Sequence, residues 1–465
     1  MNRITEADKL IEMLETAGHE AYYVGGCVRD FLRAQTGADI DVTTSATPDE
    51  MKEVFAGLRY FETGIQHGTL TVLTPDDAHR PIEITTFRTD GAYTDNRHPD
   101  TVRFVRNLEE DLARRDFTIN AMAMDRKGEA IDIYEGQTDL QAGLIRAVGD
   151  PDRRFQEDAL RILRALRFAA VLDRGGESFA IEAATEAAMF RNKELLRNIS
   201  AERIYAELKK LITGPYAGIV IRRYVEIIGV FIPELLPMKG FEQHNPYHKY
   251  DVLEHCVRAM EVVEGAGFAE GYQMKLAALL HDVAKPQKFF LDENGVGHMY
   301  GHAAAGEEMV RNILNRLKAD NETKKRVCML VKYHDLVFQE DRRLLKKWMN
   351  RYTPEMLLEI LHIKRADNLA TGNMSEELAQ KFDRIEAEIR AILEEEQCFS
   401  VKDLAVDGSD LMAVAGGLSD QRWQTSGPWI RSLLQALLDD VIEGTLPNEK
   451  EALTARAAEL LKKAD

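Results

Sequence analysis

The stretch Val24-Gly25-Gly26-Cys27-Val28-Arg29-Asp30, followed about ten residues later by Asp39-Ile40-Asp41-Val42-Thr43-Thr44, decides how the N-terminal part of the chain is read. An apolar run into two glycines and then a helical pattern puts a tight turn between a strand and a helix. There the backbone can approach a phosphate closely and the helix N-terminus can face it. Arg29 adds a cation beside the turn. In the second segment, period-two alternation predicts Asp39 and Asp41 on one strand face and the aliphatic residues on the other. Two aligned acids are what a pair of Mg²⁺ ions needs to bridge a nucleoside triphosphate and lower the pKa of an attacking hydroxyl. Taken singly, the Gly-Gly pair is also what a structural turn shows, and a lone D-x-D what a solvated strand face shows. A third acid is expected from Pro81-Ile82-Glu83-Ile84, where Glu83 alternates with aliphatic residues in the same way.

Outward from this stretch, residues 1 to about 125 mix short β-like runs with helical patterns at 5–17 and 48–55, and from about 138 onward nearly every segment reads as helix. The fold class is therefore α+β, an N-terminal α/β head followed by helical domains. A chain of 465 residues with 45% hydrophobic and 30% charged residues has material for several cores and no stretch of disorder-like composition. The net charge of -18 argues against a protein that coats nucleic acid non-specifically through its overall field, though not against a local basic face. The four cysteines, Cys27, Cys256, Cys328 and Cys398, lie far apart, which argues against a disulfide framework or thiolate zinc site and fits a reducing cytoplasm. No apolar run approaches a membrane span, so no membrane partner is expected.

Two more segments carry chemistry. Arg114-Arg115-Asp116-Phe117-Thr118-Ile119-Asn120-Ala121 joins charge to apolar residues, and the stretch from Glu157 through Asp158, Arg161 and Arg164 to Ala169 has helical periodicity that predicts Asp158 and Arg161 on one face. Alone, these are a helix start and an intrahelical ion pair. In order with the first stretch, they resemble motifs A, B and D of the class II CCA-adding tRNA nucleotidyltransferases, a branch of the polymerase β-like superfamily. Asp132, Gly136, Asp139 and Leu140 look like motif C.

That resemblance implies Mg²⁺ on Asp39 and Asp41, with Glu83 as the third catalytic acid, and a tRNA acceptor arm, CTP and ATP as partners. It implies nucleotide contacts from Gly25, Gly26, Arg29, Arg115, Asp116 and Asn120, and from Arg164 on the motif D segment. It also implies a base-reading pair, Asp158 and Arg161, with Glu157 positioning Arg161. The pairing chemistry agrees: cytosine and adenine each place an amino donor beside a ring acceptor, which an Asp acceptor next to an Arg donor matches. Uracil and guanine reverse the pattern and leave the site's own polar groups unpaired. Thr86 to Pro99 looks like the family's flexible loop, whose presence favours addition of A as well as C.

Eight of the twelve histidines fall between His244 and His362, a separate chemical compartment. His255, the adjacent pair His281-Asp282 and Asp367 match the H…HD…D pattern of the HD phosphohydrolase superfamily, and His302 and His334 fall where HD proteins holding two metals place further ligands. Imidazole with carboxylate suits Mn²⁺, Fe²⁺, Co²⁺, Ni²⁺ or Zn²⁺, and selectivity among them is not legible. Residues 191–223 form a local basic patch, either an RNA phosphate surface or a solvated helix face. The segments 404–411 and 444–448 look like the tail of HD-containing CCA-adding enzymes, except that Ile430-Arg431 stands where an Ile-Gly pair is common. The expected division is 1–137 catalytic head, 138–238 neck and body, 239–372 HD domain and 373–465 helical tail. Two alternatives stay open: an enzyme adding only A or only CC, and an HD hydrolase with an RNA-binding head. Oligomeric state is not legible.

Overall fold

The computed structural model describes residues 2–35, 39–74, 81–90, 102–244, 249–264, 271–395, 398–417, 423 and 425–463. Most of the expected flexible loop therefore lies outside the described residues. The chain divides into two compact units, Met1–Leu236 with Asn315–Ala319, and Pro237–Leu314 with Asp320–Asp465.

The first unit is built on a seven-stranded sheet of β1 (Ala21–Val24), β2 (Asp41–Thr44), β3 (Tyr60–Gly64), β4 (Thr69–Leu73), β5 (Pro81–Thr86), β6 (Met122–Met124) and β7 (Ala130–Asp132), in the order β3-β4-β5-β2-β1-β6-β7. Every neighbouring pair is antiparallel except β2 and β5, which run parallel and set Asp41 opposite Glu83. β5 alternates as its sequence predicts, with Ile82, Ile84 and Thr86 buried and Glu83 exposed. β2 does so only at its start, because Val42, Thr43 and Thr44 are all buried. The two threonines are accommodated by donating to the Thr85 carbonyl (3.2 Å) and the Glu20 carbonyl (2.7 Å), which satisfies hydroxyls placed in a core. Asp39 lies in the lead-in to β2 rather than in the strand itself.

The sequence reading missed β3, β6 and β7, and β6 shows why: it is buried on both faces and so has no alternation to read. Helix α1 (Gly26–Leu32) follows β1 directly. Then come α2 (Pro151–Glu157), α3 (Leu160–Val171) and α4 (Ala201–Ile212). The single helix expected through Glu157, Asp158 and Arg161 is in fact two, because Asp158 is extended at φ -140° and ψ 102°. The Asp158 carboxylate accepts from the Leu160 amide (3.0 Å), a local bond of the kind by which Asp favours helix ends over helix interiors.

The second unit is nearly all helical. It contains α5 (Val252–Val262), α6 (Gly271–Leu280), a two-residue hairpin of β8 (Phe290–Leu291) with β9 (Gly297–His298), α7 (His302–Arg316), α8 (Asn321–Tyr333) and α9 (Pro354–Ala370). Asp251 caps α5 by accepting from the Glu254 amide (2.7 Å). α6 is buried almost all round, with Met274 and Leu276 to Leu280 inside, and so delivers His281 and Asp282 into the interior. Residues after 398 gather on a separate core around Leu411, Leu437, Leu438 and Leu453. Among the described residues, no helix is long and apolar enough to cross a membrane.

Candidate functional site

In the first unit the β2–β5 register brings carboxylates together. Burial pushes the Asp41 carboxyl up to about 6, and the negative charges of Glu83 and Asp39 add to the rise while Arg115 opposes it. Three acids that repel one another on two interior strands and the lead-in to one of them are the donor set that oxygen-seeking divalent cations take.

The glycine turn sits beside them. Gly25 has φ +76°, and a Cβ there would lie 3.1 Å from Arg115 Nη1. Gly26 has no such constraint, since a Cβ would meet Arg29 Nη2 at an ordinary 3.6 Å. Arg115 reaches this position because its Nη2 is tied to Asp111 (3.1 Å), a fully buried acid that also binds Arg114 (2.8 Å) and accepts from Thr43 on β2 (3.4 Å). Burial raises the Asp111 carboxyl, yet Arg114 and Arg115 outweigh it and the net shift is downward. Asp111 was not singled out from sequence; its only signal was an acid three and four residues before an Arg pair.

Four of the expected nucleotide-binding residues form one hydrogen-bonded chain, buried at Arg29, Asn120 and Asp116 and half-buried at Arg164. Arg29 Nη1 donates to Asn120 (2.7 Å), Asn120 donates to Asp116 (3.2 Å), and Arg164 donates to Asp116 through Nε (2.7 Å). Burial raises the Asp116 carboxyl, but the Arg164 guanidinium prevails and holds it at about 2. Arg29, Arg164 and Arg167 all lie near the Phe168 ring, at 5.3, 5.5 and 4.1 Å from its centroid. Arg29 is thus fixed in place, buried against Asn120 and Asp30, rather than free beside the turn.

The expected base-reading residues are each held by someone else. Arg161 donates to Glu157 (2.9 Å) and to the backbone carbonyls of Arg154 (3.1 Å) and Arg114 (2.8 Å). Asp158 accepts from Arg203 of α4, at 2.8 Å on one oxygen and 3.4 Å on the other. Arg203 appears in the sequence only as one member of the basic patch.

The second unit holds the histidine site. His255 Nε2 lies 3.2 Å from His281 Nε2 and 3.1 Å from Asp367. His302 Nε2 lies 3.1 Å from His334 Nε2 and 3.2 Å from Asp282. His255, His281 and Asp367 form one group able to hold a cation, and Asp282, His302 and His334 a second. His281, His302 and His334 each place Nδ1 at 2.7 to 2.9 Å from a carbonyl three residues earlier, Ala278, Met299 and Val331. A proton on Nδ1 leaves Nε2 as a lone pair pointing inward, the orientation that metal-bound imidazole needs. Without a cation these groups pair with each other: burial opposes the charged form of His281, but Asp282 and other neighbours hold it well above its usual range. Lys285 sits on Asp282 (2.6 Å) and Lys364 on Asp367 (3.2 Å). A cleft of about 500 Å³ opens over this cluster.

Three family descriptions match the sequence. They are "Poly A polymerase head domain" over residues 21–146, "Probable RNA and SrmB- binding site of polymerase A" over 178–236, and tRNA nucleotidyltransferase domain 2 over 300–457. A CCA-adding enzyme of Bacillus cytotoxicus is 33% identical over 461 residues, 97% of this chain and 98% of that protein. The chain belongs to the CCA-adding enzymes. A CCA-adding enzyme of Lactobacillus helveticus is 51% identical over 212 residues, so the chain spans about half the length of that relative, 51%, in the part that aligns. Among solved structures, the Bacillus stearothermophilus CCA-adding enzyme in complex with CTP superposes with a TM-score of 0.68 at 28% identity, covering 98% of this chain and 97% of that one. As in that family, the head described above is a nucleotidyltransferase head followed by helical regions.

Proposed function

We propose that this CCA-adding enzyme builds the 3′-terminal CCA of tRNA from CTP and ATP in the cytoplasm without a nucleic-acid template, releasing pyrophosphate. The observation that carries this reading is the set Asp39, Asp41 and Glu83, fixed by the Asp41–Glu83 register beside the Gly25–Gly26 turn. The Asp41 carboxyl, pushed up to about 6 by burial and by the charges of Glu83 and Asp39 against the opposing Arg115, fits a divalent cation site, and Asp39 and Asp41 are the residues that would hold Mg²⁺. Bound there, Mg²⁺ supplies charge neutralisation for a triphosphate and a lower pKa for the attacking hydroxyl.

The chain's own residues do the rest. Gly26 leaves backbone open to a phosphate where nothing within the protein requires glycine. Arg115 and the Arg29–Asn120–Asp116–Arg164 chain supply rigid donors for triphosphate and ribose. Glu157 aims Arg161, and Arg161 with Asp158 selects C and A over U and G. Asp39→Ala should abolish CTP incorporation while leaving tRNA binding intact; normal incorporation would remove the metal assignment.

The histidine cluster favours a second activity in the same chain, hydrolysis of a phosphoester at an HD-type centre. In that step water adds to phosphorus, the bond from phosphorus to the leaving oxygen breaks, and the proton ends on the departing alcohol. Inward-facing Nε2 atoms with backbone-anchored Nδ1 atoms are the supporting geometry. Hydrolysis should disappear in His281→Ala with CTP incorporation unchanged; joint loss or joint survival would contradict two separate centres.

A further inference from the structure

The cleft over the histidine cluster has a wall that metal chemistry does not explain. Its lining runs from Asp282, Lys285, Lys364 and Asp367 to His298 and Tyr300 of the β8–β9 hairpin and its exit. Tyr300 is 73% exposed, and its ring stacks on His298 at 5.2 Å between centroids with the planes 19° apart. Phe290, 46% exposed, lies 5.5 Å from His298 and 5.8 Å from Tyr300. The His298 ring is itself held, with Nε2 at 3.0 Å from Asp292. Three aromatic rings gather on this short hairpin and its exit, and one of them stands largely in solvent at the lining of the cleft. Leucine or valine would cover the hairpin as well without offering a flat π face.

We infer that Phe290, His298 and Tyr300 form a stacking ledge for a nucleobase, so that this cleft takes nucleotides in preference to base-free phosphate esters. The inference rests on the reading of the cluster as a phosphoester centre and adds what that reading leaves open, the part of the substrate beyond the phosphate. The two ends of the cleft suit the two ends of a nucleotide. Lys285 and Lys364 supply cations beside the cluster for the phosphate, and the ledge offers a π surface that tolerates any base. His298 and Phe290 back the exposed ring, so Tyr300 is held flat before a ligand arrives and loses little freedom on stacking.

The test uses the full chain with Mn²⁺ and two chromogenic substrates, the p-nitrophenyl ester of deoxyadenosine 5′-phosphate and the same ester of 1-O-methyl deoxyribose 5-phosphate, which lacks only the base. The ledge predicts a KM about tenfold lower for the nucleoside ester, within the range that base–aromatic stacking gives. Tyr300→Ala should erase the difference and Tyr300→Phe should keep it. Equal KM values in the wild type, with hydrolysis of both esters lost in His281→Ala, would overturn the ledge and leave the metal centre standing. If neither ester is hydrolysed with Mn²⁺, Co²⁺ or Ni²⁺, the phosphoester reading falls. Equilibrium dialysis of the two intact esters then decides the ledge: stronger retention of the nucleoside ester that Tyr300→Ala removes upholds it, and equal retention by both proteins overturns it.

Discussion

Arg203 of α4 donates to both oxygens of Asp158, so the carboxylate expected to read the incoming base is oriented by a residue 45 positions away rather than by Arg161. Asp158 has left the helix, and its carboxylate is held by the Leu160 amide on one oxygen and by the Arg203 guanidinium on both. Removing a hydrogen bond to a charged group typically costs about 1.5–3 kcal/mol. Arg203→Ala should therefore lower kcat/KM for CTP by roughly tenfold to a hundredfold and raise the ratio of UTP to CTP incorporation. Arg203→Lys should recover part of the rate. Unchanged selectivity with a uniformly slower enzyme would make the contact structural only.

The two glycines of the turn separate fold from function. Gly25→Ala places a Cβ at positive φ and 3.1 Å from a guanidinium nitrogen, and a cost of about 1 kcal/mol or more is expected in a denaturant melt. Gly26→Ala meets nothing closer than 3.6 Å, so its melt should match the wild type while CTP incorporation falls. Wild-type incorporation in Gly26→Ala would remove the phosphate-approach argument at that position.

Asp41 predicts a stability cost relieved by metal. Its folded pKa of about 6 stands above the ordinary 3.8, so between those values the folded chain keeps a proton that the unfolded chain has lost. Stability therefore falls as pH rises through that window, by about 3 kcal/mol in all. Asp41→Asn should raise the Tm in EDTA at pH 7.5 and abolish incorporation, and Mg²⁺ should raise the Tm of the wild type but not of the variant. A lower Tm for the variant in EDTA would contradict the charge cluster.

These tests fall where the sequence was clear and where it was not. Glu83 was legible because β5 has one buried face and alternates, whereas Asp39 and Asp41 stood out through the D-x-D of the motif, whose order carried the family, since β2 buries Val42, Thr43 and Thr44 alike. The break at Asp158 was not, since α2 and α3 keep helical spacing on either side of one extended residue. Asp111 and Arg203 were hidden for another reason: each acts through contacts set by the fold, Asp111 reaching Thr43 across the sheet and Arg203 reaching from α4 to Asp158. At the histidine site the ligand types were readable, but the two groups they form, and the backbone carbonyls that orient them, needed coordinates.

The histidine cluster should take up cations in a pH-dependent way. His281 lies well above its usual range, so its contribution to stability is present below about pH 6.5 and lost as pH rises through the folded value. Asp282 and Asp367 are held well below theirs, burial being outweighed by neighbours that include His281 and the lysines, and their contribution is lost only in acid. Cation binding must displace the imidazole proton, so Mn²⁺ affinity should rise from pH 6 to pH 8 with proton release. Two ions per chain are expected, falling to one in His334→Ala. Affinity independent of pH would contradict the cluster as a ligand set.

The most direct measurement incubates the purified protein and Mg²⁺ with tRNA lacking its CCA end, and separately with tRNA ending in CC, supplying CTP, ATP or both and resolving products to one nucleotide. Three additions ending in A on the first substrate, and one A on the second, are predicted. Arrest after CC, activity on the CC-ended substrate alone, or no incorporation at all would contradict the reading of this chain as a complete CCA-adding enzyme.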